Sequence, residues 1–319
     1  ILIICEIIVR VFMDQTAYTV SSYPEKMFDS KSKTLLRANF KGQFAPGEYS
    51  ASIKINSLGL RDSELKKEDS EVKILGLGDS FTFGHGVESQ ESFLKLLEKK
   101  LIKTQDNHIK VLNAGIPGTG PDKYVNVYNH LEKKYHPDHV LFCLFIGNDL
   151  TDLNITSKSK NKSKPTKKAD NSGSSIKTFL RKNIHLYSFI VDRAKTIPAV
   201  RKFLVKSGIA HGLIGNYIID ILKPRLTNEY KDRWATLFDI IKETKNKNKN
   251  FTVILIPTRE QVYPLRLNKA IKQLGYAADE IDIYFPNKKI NDYCDSLEID
   301  CIDLMPKFIA KAKKENLYF

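Results

Sequence analysis

Apolar runs and amphipathic stripes alternate along most of this chain. Val72–Leu77 is a short apolar run that stops at Gly-Asp-Ser, the pattern of a buried strand. Ser89–Lys103 then carries Phe93, Leu96, Leu97 and Leu101 on one stripe, which predicts a helix. Ile109–Gly115 predicts a second strand, and Asp122–Tyr135 a helix with Tyr124, Val127, Tyr128 and Leu131 inward. His139–Asp149 is apolar nearly throughout, as expected of a strand with helices over both sheet faces. Leu222–Lys249 predicts a helix, Phe251–Pro257 a fourth strand, Asn287–Leu297 a helix, Ile299–Leu304 a fifth strand and Pro306–Lys314 a last helix. Strands alternating with helices predict an α/β fold, a doubly wound, mostly parallel sheet in three layers. No internal repeat interrupts it.

Before this region the pattern is different. Residues 1–13 are apolar apart from Glu6 and Arg10, yet a bilayer-spanning helix needs about 20 such residues. The run reads as the last turns of an N-terminal membrane anchor, with Arg10 snorkelling to the interface, or alternatively as a signal-peptide remnant or an ordinary buried helix. An anchor there places the rest of the chain outside the cytoplasm, at the periplasmic or cell surface. Residues 14–70 read as a juxtamembrane connector, in which Ser52–Asp62 forms a short strand and a turn at Gly59. Residues 71–319 then form the main domain, with a lysine-rich loop and a helical insertion at about 154–221. Six lysines fall between Lys158 and Lys168. They read as a solvated loop, or alternatively as a patch for lipid headgroups or an acidic polymer. Glu315–Phe319 admits two readings, a protease-tag remnant or native sequence.

Composition narrows the classes. Hydrophobic residues at 42% exclude global disorder, and 51 Lys+Arg against 37 Asp+Glu leave +14, which favours an anionic neighbour without specifying a fold. Four cysteines exclude a disulfide scaffold or a multi-zinc module. Cys294 and Cys301 flank a helix-to-strand turn and are candidates for one disulfide in an oxidising compartment, whereas Cys143 reads as a buried small hydrophobe.

In such a sheet, ligands sit beyond the carboxyl ends of the strands. Three motifs fall there: Gly78-Asp79-Ser80-Phe81-Thr82, Asn113-Ala114-Gly115-Ile116-Pro117-Gly118 and Gly147-Asn148-Asp149. Each has an ordinary reading when taken alone: Ser80 as a helix N-cap, Gly118 as a turn glycine, Asn148 as a loop cap. Together they supply a hydroxyl, a glycine amide and a side-chain amide, the set that acyl transfer needs. Competing motifs fail. A dinucleotide fingerprint is broken by Phe81, no Lys-Ser/Thr follows as in a P-loop, and Thr82 replaces the last glycine of a G-x-S-x-G elbow.

The three blocks, in order, resemble the GDSL/SGNH hydrolase family over about four-fifths of the chain, from Ile53 onward. INSLGLRD (Ile55–Asp62) and IPTREQVYP (Ile256–Pro264) are similar to segments of its membrane-anchored bacterial members. The resemblance implies a flavodoxin-like fold and a serine esterase. Ser80 would be the nucleophile, with Gly118 and Asn148 as oxyanion donors beside the Ser80 amide. Asp79 and Asp149 are expected to hold the loops through side-chain to backbone hydrogen bonds. Substrates would be O-acyl esters, O-acetyl among them, of a sugar, polysaccharide or lipid, and an acyltransferase would use the same acyl-serine. The partners implied are that acylated carbohydrate or lipid and a membrane; no metal, organic cofactor or nucleic acid is implied.

One part is missing from the sequence pattern. The family's base is a His three residues after an Asp near the C-terminus. None of the seven histidines lies after the fourth strand, and none has an Asp three residues before it. His85 reads as a rim residue. Either an Asp/His pair follows Phe319, leaving this stretch nearly inactive, or the chain is a degenerate member that binds acyl or glycan ligands without turnover.

Overall fold

A computed structural model describes residues 2–12, 27–29, 34–44, 51–65, 72–105, 108–153, 184, 186–187 and 216–317. The chain divides into two units, residues 1–23, 45–50 and 156–214, and residues 24–44, 51–155 and 215–319.

In the first unit, α1 (Leu2–Phe12) forms where the apolar run predicts a helix. Glu6 accepts the Leu186 N–H at 2.7 Å, while Ile4, Ile7, Ile8 and Val11 are exposed. Among the described residues no helix is long and apolar enough to cross a membrane. The lysine-rich segment Thr156–Ser175, and with it His185 and His211, lies outside the described residues.

The second unit begins with an antiparallel pair, β1 (Lys41–Phe44) and β2 (Ala51–Lys54). A five-stranded parallel sheet follows: β3 (Val72–Gly78), β4 (Ile109–Gly115), β5 (His139–Phe145), β6 (Phe251–Ile256) and β7 (Asp300–Asp303). Its order is β4-β3-β5-β6-β7, so the first strand lies inside the second. That is the flavodoxin-like order, with its switch point between β3 and its two neighbours. The paired ends Gly78↔Gly115 and Phe145↔Ile256 bring the carboxyl termini of the first four strands to one edge.

Helices cover both faces, as the continuous apolar strands require. On one face, α3 (Phe93–Gln105) packs Leu94 with Val111, Leu141, Cys143, Ile254 and Ile256. Gly76 permits that contact, since a Cβ there would meet Leu94 Cδ1 at 2.3 Å. On the other face, Tyr124 of α4 (Pro121–Tyr135) meets the Phe142 ring edge-on at 5.5 Å. Trp234 of α6 (Asn228–Lys247) lies 6.1 Å from Phe285, the first residue of α9 (Phe285–Ser296). The short helix α5 (Asn216–Asp220) precedes α6.

Several boundaries depart from the sequence pattern. The first long helix opens as a 3-10 turn at Ser89–Glu91 and restarts at Phe93. The third strand stops at Phe145, because the Asp149 carboxylate takes the Phe145 N–H at 2.9 Å and curls the chain into turns. The helix expected from Leu222 starts at Asn228, capped by the Thr227 hydroxyl. Between β6 and α9 stand two helices that the periodicity did not predict, α7 (Arg259–Val262) and α8 (Pro264–Leu274). The last helix, α10, spans Met305–Ala312. Cys294 and Cys301 are neighbouring free thiols, not a disulfide.

Candidate active site

Strand β3 delivers Ser80 to the sheet edge as the first residue of a one-turn helix, α2 (Ser80–Phe83). The cap of that helix is Asp79, not Ser80: its Oδ1 accepts the Phe81 N–H at 2.9 Å. Ser80 is thereby released from the ordinary serine role at a helix start. Its Oγ donates to Asp79 Oδ2 at 3.4 Å, a long contact that leaves the hydroxyl weakly held.

The second motif is fastened against the first. Ile116 N–H donates to Gly78 O at 2.9 Å. Gly115 lies so close to α2 that a Cβ on it would stand 2.2 Å from Phe83 N. Gly118, three residues on, has φ +69°, and the space where its Cβ would stand is open to 4 Å. Beyond it, Gly120 has its missing side chain against the Asp152 backbone, at 2.9 Å. The loop that carries Gly118 therefore runs between the Ser80 helix and the Asn148 turn.

The third motif completes the crevice. Asn148 Nδ2 donates to Asp152 Oδ2 at 2.6 Å, and the Asn148 side chain lies near enough to Asp79 to favour its charged form slightly. Asp149 is buried beneath, accepting from Tyr124 Oη and Phe145 N, each at 2.9 Å. Phe81 and Phe145 stack at 4.0 Å and tie the first and third loops together. Ser80 and Asn148 thus both lie beside Asp79, Ser80 in a long hydrogen bond to it, with the Gly118 loop alongside. The Ser80 and Gly118 amides have no acceptor among the described residues.

No protein-family model and no curated protein matches the chain. Among solved structures, it is similar to a catalytic mutant of Axe2, an acetylxylan esterase from Geobacillus stearothermophilus. That match has 13% identity over 79% of this chain and 84% of that one, with a TM-score of 0.38. LAE5, an alpha/beta hydrolase enzyme from the metagenome of Lake Arreo, Spain, matches at 12% identity over 78% and 84%, TM-score 0.40. AlinE4 matches at 12% over 80% and 83%, TM-score 0.38. AlinE4 is an SGNH-hydrolase family esterase.

Two acids beside Ser80 are kept from ionising readily. Burial, helped by the charge of Asp152 and opposed by the Phe81 N–H, pushes Asp79 up to about 6. Burial and then the Asp79 charge push Asp149 well above the usual carboxylate range, against the Tyr124 and Phe145 hydrogen bonds. Burial and the Arg61 charge hold His85 below its ordinary value. His85 donates its backbone N–H to Ser80 O at 3.0 Å, and among the described residues the partner of Ser80 Oγ is Asp79.

Four residues at this site escape a motif reading. Asp152 shows only as an i+4 neighbour of Asn148, and Tyr124 reads as one more inward aromatic of α4. Arg61 and Asp62 sit in INSLGLRD, and nothing local reveals that they reach the Ser80 helix and β4. Among the described residues no group of His, Cys, Asp and Glu is arranged to hold a metal ion.

Proposed function

We propose that this chain is a serine esterase of the GDSL/SGNH type, acting on O-acyl esters of a sugar, polysaccharide or lipid, O-acetyl among them. The approach of Ser80 and Asn148 to Asp79, with the Gly118 loop fastened beside them, carries the reading. Ser80 Oγ attacks the ester carbonyl carbon, an Oγ–C bond forms, and the carbonyl oxygen takes up the negative charge. The Ser80 N–H, the Gly118 N–H and the Asn148 carboxamide are the donors for that oxygen, and the first two are otherwise unused among the described residues. Asn148 turns one amide N–H to the oxyanion, while Asp152 holds the other and keeps the amide plane fixed. Collapse expels the alcohol, which takes a proton, and leaves an acyl-serine for water or a second hydroxyl to accept.

On this reading the Ser80 proton passes through a general base to the departing alcohol; among the described residues the partner of Ser80 Oγ is Asp79. The exposed apolar side chains of α1 support a setting at a membrane surface.

The natural chain should form a fluorophosphonate adduct on Ser80, located by peptide mass spectrometry. It should lose the adduct and ester hydrolysis in Ser80→Ala. A folded natural chain without an adduct would leave a ligand-binding domain as the better account.

A further inference from the structure

Arg61 and Asp62 are consecutive residues after β2 whose side chains are buried and diverge. The Arg61 guanidinium donates through Nη1 to Gly84 O at 2.7 Å and Phe83 O at 3.3 Å. Through Nη2 it donates to Ser52 O and Val87 O, each at 2.8 Å. It also lies 4.9 Å over the Phe83 ring. These acceptors include the carbonyls that close α2, where a buried helix end otherwise leaves acceptors unmet.

Asp62 reaches the other loop. Its Oδ2 accepts the Asn113 N–H at 2.8 Å, and Asn113 Oδ1 accepts the Gly115 N–H at 3.0 Å. Lys95 neutralises the carboxylate at 2.9 Å. Gly115 in turn abuts the Phe83 backbone, which Arg61 already holds. The contacts form a closed circuit: Arg61 to Phe83, Phe83 to Gly115, Gly115 through Asn113 to Asp62, and Asp62 by one peptide bond back to Arg61.

We infer that Arg61 and Asp62 together are a positioning device that sets the distance between the Ser80 helix and the Gly118 loop. Neither touches reacting atoms. The inference rests on the esterase reading of the site and adds to it the element that fixes the gap between nucleophile and oxyanion donor. Two bonded residues have alpha carbons about 3.8 Å apart, so a clamp built on neighbours transmits little slack. A misplacement of about 1 Å at such a site costs on the order of a hundredfold in rate.

The test uses the natural chain and measures the second-order rate of Ser80 labelling by a fluorophosphonate, alongside the cooperativity of thermal unfolding. Arg61→Ala should unfold cooperatively and label about tenfold or more slowly. Millimolar methylguanidinium should restore much of that rate, and methylammonium should not. Arg61→Lys should be slow too, because one ammonium cannot span four carbonyls. If Arg61→Ala does not fold, Asp62→Asn carries the same expectation of slow labelling in a folded chain. Folded variants labelling within about twofold of the natural chain overturn the clamp, given that 1 Å is worth far more than that. A loss in Arg61→Ala that neither cation restores overturns it as well, since that is general damage to the fold. A folded natural chain that does not label at all removes the esterase reading instead, and the clamp's role in it.

Discussion

Gly115 ends β4 and Gly118 stands three residues on, and alanine should affect reactivity at the two to very different degrees. At Gly115 the new Cβ would be 2.2 Å from Phe83 N, 2.6 Å from Thr82 C and 2.8 Å from Phe83 Cα. All three are backbone atoms, so no side chain can rotate aside, and α2 must move off β4 by roughly 1 Å to restore ordinary contact. Overpacking of this kind costs about 1–3 kcal/mol. In a domain of this size each kcal/mol lowers the melting midpoint by about 2–4 °C, so a fall of roughly 2–12 °C is expected for Gly115→Ala. At Gly118 nothing lies within 4 Å, and the cost of alanine is the strain at φ +69°, about 1–2 kcal/mol. Reactivity should separate the two more sharply. Moving Ser80 by about 1 Å lowers fluorophosphonate labelling on the order of a hundredfold, whereas Gly118→Ala retains its amide and should lose less than about tenfold. Thermal melts and labelling rates of both variants of the natural chain check this. If Gly115→Ala melts and labels like the natural chain, the close approach of the Ser80 helix to β4 is wrong.

Asp79 gives a pH prediction. Its carboxyl is pushed up to about 6 in the folded chain, so folding favours the protonated form. Stability should therefore be greatest in acid and fall as pH rises from about 4 to about 6, by about 3 kcal/mol for a shift of roughly two units. Asp149 acts in the same direction. Urea midpoints at the two ends of that window should differ less in Asp79→Asn, and an unchanged difference contradicts the assignment. Lys95 should be costly to remove. Burial opposes its charge, but Asp62 and Glu98 at 2.9 and 3.0 Å outweigh it and hold the ammonium above its ordinary value. Lys95→Met strands a buried carboxylate and should cost about 3–5 kcal/mol by urea unfolding; a loss under about 1 kcal/mol contradicts the buried pairing.

The parallel sheet was legible because strands covered on both faces need continuous apolar runs, and Val72–Leu77, Ile109–Gly115 and Phe251–Ile256 are such runs. The end of the third strand was not. Ile146 continues the apolar run, and the chain turns only because Asp149 folds back on the Phe145 amide, a contact that hydrophobicity cannot encode. The helices α7 and α8 were hidden for a related reason. One is a single turn held by a Thr258–Gln261 capping box, and the other starts abruptly at Pro264. At the site, Ser80, Gly118 and Asn148 were visible as motif residues, but Asp79's role as the cap in place of Ser80 needed coordinates. Arg61 was the least visible of all, since the Phe83 and Gly84 carbonyls it holds lie more than twenty residues along the chain.

What the local patterns and the long-range contacts share is a division of labour around one carboxyl group. An asparagine at position 79 would also cap Phe81 N–H, so capping alone does not explain an acid there. Burying that acid beside Asp149 and Asp152 disfavours its charged form, which costs stability at neutral pH. A carboxylate can accept from Phe81 N–H and Ser80 Oγ at once, one oxygen to each, whereas an amide presents one acceptor oxygen and turns its donors toward the other. Only the acid lets the helix start and the hydroxyl share a single centre. Asp79→Asn separates these roles. It should keep α2 capped and relieve the pH-dependent cost, yet turn an N–H toward Ser80 Oγ and slow labelling of Ser80 at neutral pH. A variant that is more stable at pH 7 and labels as fast as the natural chain would show that the shared carboxylate does not organise the site.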